Sequence, residues 1–290
     1  MEFTVNHLLC FGFGFSARTF AARLNKQEWK ISATSRDAEG IAEIEAQGFQ
    51  GLPFDSTLEI APDVTHLLIS APPNEHGDPV LRLFQTQLQR LLKQLKWVGY
   101  LSTTGVYGDR GGDWVGEESP LEPTTVRGQR RLEAERNWLR LHSEFGLPLH
   151  LFRLAGIYGP GRNTLLNLRD GSAKRIIKPG QIFSRIHVED IAGVLAASIA
   201  IPNPGRAYNV CDDEPCPPQE VVEFAADLLG LPLPPEIPFE EAELSPMAKS
   251  FYADSKRVSN RRIKAELGYK LLHPNYREGL RALLKTLPVY

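Results

Sequence analysis

The sequence predicts an α/β protein: a doubly wound parallel sheet followed by a smaller, loop-rich C-terminal lobe. Three observations lead there. Short apolar segments alternate with amphipathic ones as far as Leu154. A glycine-rich turn separates the first apolar segment from the first amphipathic one. Beyond Tyr158, Gly159-Pro160-Gly161 marks a break, and prolines crowd the chain at Pro202, Pro204, Pro215, Pro217, Pro218, Pro232, Pro234, Pro235 and Pro238. Strands that alternate with helices build parallel sheets with right-handed crossovers and helices on both faces.

Each element has its own signal. His7–Phe11 is a short apolar strand, and Phe15, Thr19, Phe20 and Leu24 form a helical stripe after it. Trp29–Thr34 alternates as a second strand, Ile41–Gln47 is a short helix, and Phe49–Phe54 is a third strand. Leu67–Ile69 is a fourth, closed by Pro72-Pro73. From Pro79 to Leu95, the residues Leu81, Phe84, Leu88, Leu91, Leu92 and Leu95 share one face of a long helix. Val98–Ser102 is the fifth strand, Arg130–Phe145 a second long helix and Leu149–Leu154 a sixth strand. Helices are expected near Val188–Ile199, Pro218–Leu229, Ser259–Glu266 and Tyr276–Leu287. The division this implies is a dinucleotide-binding domain over 1–158 and a smaller lobe over 159–290, parts of which return to the first domain.

Composition bounds the function. At 290 residues the chain is long enough for a substantial core, and 42% hydrophobic with 23% charged residues is ordinary for a soluble globular protein. A formal net charge of −2 argues for neither a nucleic-acid nor an anionic-membrane partner. No signal segment or bilayer-length apolar run is present. Cys10, Cys211 and Cys216 form no C-x-x-C pair, which fits a reducing compartment, and the cytoplasm is the expected location. No metal ligand is assigned.

The first strand runs into Gly12-Phe13-Gly14-Phe15-Ser16-Ala17 and then a helix. This is the G-x-G-x-x-A pattern of Rossmann dinucleotide sites. The first glycine allows a tight turn, the second lets the backbone approach a pyrophosphate, and Ala17 allows close helix–strand packing. Phe15 and Ser16 open the helix whose N–H groups face the phosphates. After the second strand the chain reads Thr34-Ser35-Arg36-Asp37. Ser35 does not repel a ribose 2′-phosphate and Arg36 can bind one, so NADP(H) is the expected cofactor. In the other reading, Arg36 is a solvated loop charge, Asp37 grips the ribose 2′-OH and NAD is bound. Ser70, Ala71 and Pro72, after the fourth strand, would lie along the cofactor.

Val98–Ser102 continues into Thr103-Thr104-Gly105-Val106-Tyr107-Gly108, and a helix begins near Arg127-Gly128-Gln129-Arg130-Arg131. The first stretch resembles the active-site strand of the extended short-chain dehydrogenase/reductases, the sugar-nucleotide epimerase and dehydratase group. Arg153-Leu-Ala-Gly-Ile-Tyr158-Gly159-Pro160-Gly161, Arg185-Ile-His187-Val-Glu-Asp190, Tyr208-Asn209-Val210, Gly268-Tyr269 and the terminal Asn275–Leu280 segment resemble later signatures of the same family, in order, over nearly the whole chain. The resemblance is closest to the atypical branch, whose members keep the nucleotide loop and lose parts of the catalytic tetrad.

The resemblance implies a proton-carrying tyrosine and a ribose-holding lysine in Tyr-x-x-x-Lys, with a strand-five hydroxyl on the reacting oxygen. Here Arg127 stands in the tyrosine's place and Arg131 in the lysine's. No tyrosine lies between Tyr107 and Tyr158, and no lysine between Lys96 and Lys174. The hydroxyl would be that of Thr103, with Thr104 as its neighbour, and Tyr107 would shape the pocket. Asp55 would be the acid near the adenine. Arg131 is a cation able to reach a ribose. Arg127 can neutralise an anionic substrate, but a guanidinium with a pKa of ~12 or more carries no proton near neutrality. His76, Glu117 and Glu118 are further titratable residues on loops. His187 and Asp190 are expected to be structural.

Two functions follow as expectations. One is an NADP-dependent oxidoreductase or epimerase-type enzyme acting on a small polar substrate, with a non-standard active site. The other is a catalytically inactive NADP(H)-binding sensor. Either would be a monomer or a homodimer.

Overall fold

The computed structural model describes residues 5–287, the side chains at 246 and 247 excepted. The elements in order are β1 (Asn6–Phe11), α1 (Phe15–Arg23), β2 (Trp29–Ser35), α2 (Ala38–Ala46), β3 (Gln50–Pro53), β4 (His66–Ile69), α3 (Pro79–Leu91) and β5 (Trp97–Thr103). A short 3-10 turn at Thr104–Tyr107 leads to β6 (Trp114–Val115), α4 (Val126–Phe145), β7 (Leu149–Leu154), β8 (Gly156–Tyr158), α5 (Thr164–Arg169), β9 (Arg175–Ile177) and β10 (Arg185–His187). The chain closes with α6 (Val188–Ala200), β11 (Ala207–Val210), α7 (Pro218–Leu229), β12 (Glu236–Pro238), α8 (Pro246–Tyr252), β13 (Arg257–Val258), α9 (Arg261–Leu267) and α10 (Tyr276–Leu284).

A seven-stranded sheet has the order β11-β7-β5-β4-β1-β2-β3. The pairs from β3 through β5 are parallel and in register, with Leu8 beside Ile31 on one side and His66 on the other. The sheet is doubly wound, and its order reverses between β1 and β4. β1, β4 and β7 carry almost nothing but buried residues, as strands covered by helices on both faces must.

The chain divides into two compact units. The first runs up to Thr103 and includes Gln129–Arg153 and Ile191–Tyr208. Its main core gathers Phe11, Leu67, Ile69, Phe84, Leu88, Val98, Tyr100 and Trp138. The second comprises Thr104–Gly128, Leu154–Asp190 and the residues from Asn209 on. Among its described residues, Leu165, Val221, Ala225, Tyr276, Leu280 and Leu283 form one small core, and Ile176, Ala242 and Tyr252 another. Among the described residues no helix is long and apolar enough to cross a membrane.

Several helix boundaries differ from the sequence expectation, and two have a visible local cause. α3 ends at Leu91, not Leu95, although Leu95 remains buried. The Lys96 N–H bonds to the Thr65 carbonyl at 2.8 Å, which turns the chain into β5. α4 begins at Val126, four residues before the apolar stripe. There the Thr125 hydroxyl accepts the Gly128 N–H at 3.1 Å, an N-cap that periodicity does not register. The short strands of the second unit carry too few residues for a periodic signal, whereas α7 spans Pro218–Leu229 as expected.

Candidate functional site

The nucleotide loop is held from several sides. β1 ends at Phe11, and Gly12 turns with a φ of +84°. A Cβ on Gly12 would lie 3.1 Å from the Ala71 nitrogen, so both conformation and crowding require glycine. The Gly12 N–H donates to Thr34 Oγ1 at 2.9 Å, tying the turn to β2. The Ser70 and Ala71 N–H groups donate to the Phe11 carbonyl at 2.9 and 2.8 Å. Gly12 and Ser70 thus sit at the C-terminal ends of β1 and β4, where the strand order reverses and open α/β sheets take their ligands.

Gly14 caps α1 without any side-chain hydrogen bond. A Cβ added to Gly14 would meet nothing within 4 Å. Phe15 is half-buried, while Ser16 and Ala17 are buried against the sheet. The start of α1 thus has room beside Gly14 and no side-chain cap on its positive dipole end, so these residues fit a dinucleotide pyrophosphate. Pro72 is exposed, Ser70 half-buried and Ala71 buried.

At the end of β2, Ser35 is half-buried and Arg36 exposed. Among the described residues no hydrogen bond or ion pair engages the Arg36 side chain. Asp37 is committed elsewhere, since its Oδ1 accepts the Gly40 N–H at 2.8 Å as the N-cap of α2. Asp55, after β3, closes its own turn by accepting the Thr57 hydroxyl at 2.6 Å and N–H at 2.8 Å. Those bonds hold its carboxyl below the usual range.

Thr103 ends β5, and Thr104 begins the turn after it; both are half-buried. The two arginines that replace the Tyr-x-x-x-Lys pair have different surroundings. Arg131 is 7% exposed, and its Nη1 donates to the Leu101 carbonyl at 2.8 Å and the Tyr100 hydroxyl at 3.2 Å. Its guanidinium also lies 5.5 Å from the centre of the Tyr100 ring. Arg127 is exposed, with its guanidinium 6.0 Å from the Phe251 ring. Tyr107 is fully buried, and its hydroxyl donates to Asn209 Oδ1 at 2.7 Å.

The remaining titratable candidates have ordinary partners. Glu117 accepts the Asn209 N–H at 2.9 Å, and Glu118 pairs with Arg262 at 2.5 Å. His76 is exposed, 3.7 Å from Glu75. Asp78 caps α3 through the Val80 and Leu81 N–H groups and accepts Trp138 Nε1–H at 3.0 Å. Asp190 holds the Leu272 and His273 N–H groups and the Tyr269 hydroxyl. Burial pushes the His187 imidazole down to about 4.

Sequence reasoning missed a buried network that begins at Ser102, the residue before Thr103. The Ser102 hydroxyl donates to Glu135 Oε1, and Arg153 Nη2 donates to Glu135 Oε2 at 2.9 Å. All three side chains are buried, with Glu135 1% exposed. The available signal was the eight-residue step from Arg127 to Glu135, which places an acid two turns along the same helix. Its partner on β7 is distant in sequence, and only the fold brings the two together.

No family model matches the chain. It is 27% identical to the protein YeeZ of Escherichia coli K12, over 91% of this chain and 95% of that one. A solved structure of a functionally unknown conserved protein from Silicibacter pomeroyi is 53% identical, with a TM-score of 0.91 over 97% of this chain and 99% of that one. A candidate NAD-dependent epimerase/dehydratase of Methylobacillus flagellatus is 26% identical, with a TM-score of 0.71 over 98% of both chains. The human epimerase family protein SDR39U1, solved with NADPH, shares the fold at 18% identity, with a TM-score of 0.74 over 97% of this chain and 100% of that one. Others of the same fold, at 16–18% identity, hold NAD. The sheet order, the glycine loop at its switch point and these relatives give the chain the fold of the extended short-chain dehydrogenase/reductases and make it similar to their atypical, NAD-dependent epimerase/dehydratase-like members, with the Tyr-x-x-x-Lys motif absent.

Proposed function

We propose that the protein is an NADP(H)-dependent oxidoreductase of the epimerase/dehydratase type, acting on a small polar substrate in the cytoplasm. One observation carries the cofactor choice. Arg36 stands exposed and unpartnered among the described residues after β2, while the nearest acid, Asp37, is occupied in capping α2. A 2′-phosphate is a natural partner for a guanidinium, and an acid committed to a helix cap is a poor ribose clamp. NADPH in the human relative supports this reading. The three free cysteines are all buried, in keeping with a reducing compartment.

The bound nicotinamide would supply or accept hydride. The chain's own residues do the rest. Gly12, Gly14 and the first turn of α1 hold the pyrophosphate. Phe15, Ser16 and Ala17 set the helix against the sheet, and Ser35 and Arg36 take the ribose phosphate. Asp55 lies toward the adenine, and Ser70, Ala71 and Pro72 line the cofactor's path. The Thr103 hydroxyl polarises the reacting oxygen, with Thr104 beside it. Arg131 braces the end of β5 through the Leu101 carbonyl. Arg127 neutralises an anionic group of the substrate, and Tyr107 shapes the pocket. No tyrosine stands at the start of α4, so the proton passes to water or to a residue elsewhere in the chain.

The experiment is a pair of titrations. NADPH is expected to bind more tightly than NADH, and Arg36→Ala is expected to weaken NADPH by about tenfold to a hundredfold, the worth of one or two charge-assisted bonds. NADH binding should hardly change. Equal affinities in the wild type would refute the cofactor choice. Stopped-flow oxidation of NADPH against a library of carbonyls and sugar nucleotides then tests turnover.

A second reading is a non-catalytic NADP(H) sensor. The observation in its favour is the engagement of Arg131 by Leu101 and Tyr100. Intact cofactor binding without turnover of any substrate would favour it.

A further inference from the structure

We propose that His187, Glu189 and His273 form a binding site for one divalent transition-metal ion of the zinc class. All three belong to the second unit, and the site is independent of the cofactor reading. His187 Nδ1 lies 3.7 Å from Glu189 Oε2, and His273 Nε2 lies 2.9 Å from the same oxygen. The three candidate donor atoms lie within 4.8 Å of one another. Ligands on a tetrahedral ion with bonds of about 2.0–2.2 Å stand roughly 3.3 Å apart, so small rotamer adjustments would bring these atoms into a coordination shell. Two imidazoles and one carboxylate suit zinc, cobalt or nickel better than magnesium or calcium, which prefer all-oxygen shells.

A second observation points the same way. His187 is 2% exposed, its Nε2 has no hydrogen-bond partner, and its Nδ1 accepts only a 3.3 Å bond from the Glu189 N–H. The Nδ1 lone pair, engaged only by that long bond, is the one available to an ion, and Nε2 would then carry the ring proton. The His187 and His273 rings are also packed together, with centroids 3.9 Å apart.

The surroundings set up the donors. Asp190 accepts the Leu272 and His273 N–H groups, which fixes the loop carrying His273 against the start of α6. A helix N-terminus repels a cation by roughly half a charge. Two carboxylates in the same turn, Glu189 and Asp190, outweigh that. The Glu189 side chain is half exposed, which leaves water access for the remaining coordination position. An ion here would clasp the start of α6 to the segment that precedes α10.

The test is calorimetric titration of untagged, chelator-stripped full-length protein with zinc chloride. One ion per chain is expected, with a higher melting temperature in zinc that EDTA reverses. Glu189→Gln and His273→Ala are each expected to weaken binding at least tenfold, while His76→Ala, at an exposed histidine of the first unit, leaves it unchanged. Absence of saturable binding by the wild type at micromolar zinc overturns the proposal whatever the variants do. So does wild-type affinity retained in both the Glu189→Gln and the His273→Ala proteins.

Discussion

Replacing Glu135 with alanine tests the buried network that joins β5, α4 and β7. In the wild type its carboxylate accepts the Ser102 hydroxyl and is gripped by Arg153 through Nη2 at 2.9 Å and Nε at 3.3 Å. Glu135→Ala takes the carboxylate away from a guanidinium that is 4% exposed and a hydroxyl that is 5% exposed. Removing one partner of a buried ion pair costs about 3–5 kcal/mol, because the remaining charge cannot reach water. At about 2–4 °C per kcal/mol for a chain of this size, the melting midpoint should fall by roughly 6–20 °C. Glu135→Gln keeps the volume and an acceptor for Ser102, so about half that loss is expected. The pair Glu135→Leu with Arg153→Met removes both charges and should cost less than the sum of its single changes. Thermal melts followed by circular dichroism, together with urea midpoints, supply the values for all five variants. A loss below about 1 kcal/mol for Glu135→Ala, or strict additivity in the double variant, would refute the view that this ion pair holds β5, α4 and β7 together.

Gly12→Ala should abolish dinucleotide binding and destabilise the fold, since the position combines a φ of +84° with a 3.1 Å approach to Ala71; unchanged NADPH affinity would contradict the assigned turn. Acid should weaken the fold through His66 and His150, whose imidazoles burial pushes down to about 4 from 6.5. The unfolded chain binds these protons first, so their contribution is complete above pH 6.5 and is lost as pH falls toward 4, by about 1 kcal/mol per pH unit for each histidine. Urea midpoints that stay flat between pH 7 and pH 5 would exclude this. Cys10, Cys211 and Cys216 are all buried with thiols pushed up by burial, so a thiol reagent should label them only on unfolding; rapid labelling of the native protein would show that at least one is accessible.

Much of the first unit was legible because its signals are local. The apolar runs at His7–Phe11 and Leu149–Leu154 and the stripe from Leu81 to Leu91 report burial through periods that survive in one dimension. The glycine loop was legible for the same reason: turn, approach and helix start occupy six consecutive residues. The Thr125 cap of α4 was present in the sequence, but it precedes the apolar stripe and so was passed over. The short strands of the second unit left no periodic trace.

The sequence by itself determined the doubly wound sheet, the dinucleotide loop and the absence of any tyrosine or lysine at the start of α4, because each is a property of neighbouring residues. Tertiary structure decided the environments of the substituted residues. Arg127 and Arg131 lie one turn apart on a single helix, yet one is exposed beside Phe251 and the other is buried against Leu101 and Tyr100. Glu135 meets Arg153, and His187 meets His273, across separations of 18 and 86 residues. A side chain's charge is written in the sequence, but its solvation and its partners are set by which distant segments the fold packs beside it, and these control whether that charge is solvated, paired or able to hold a ligand.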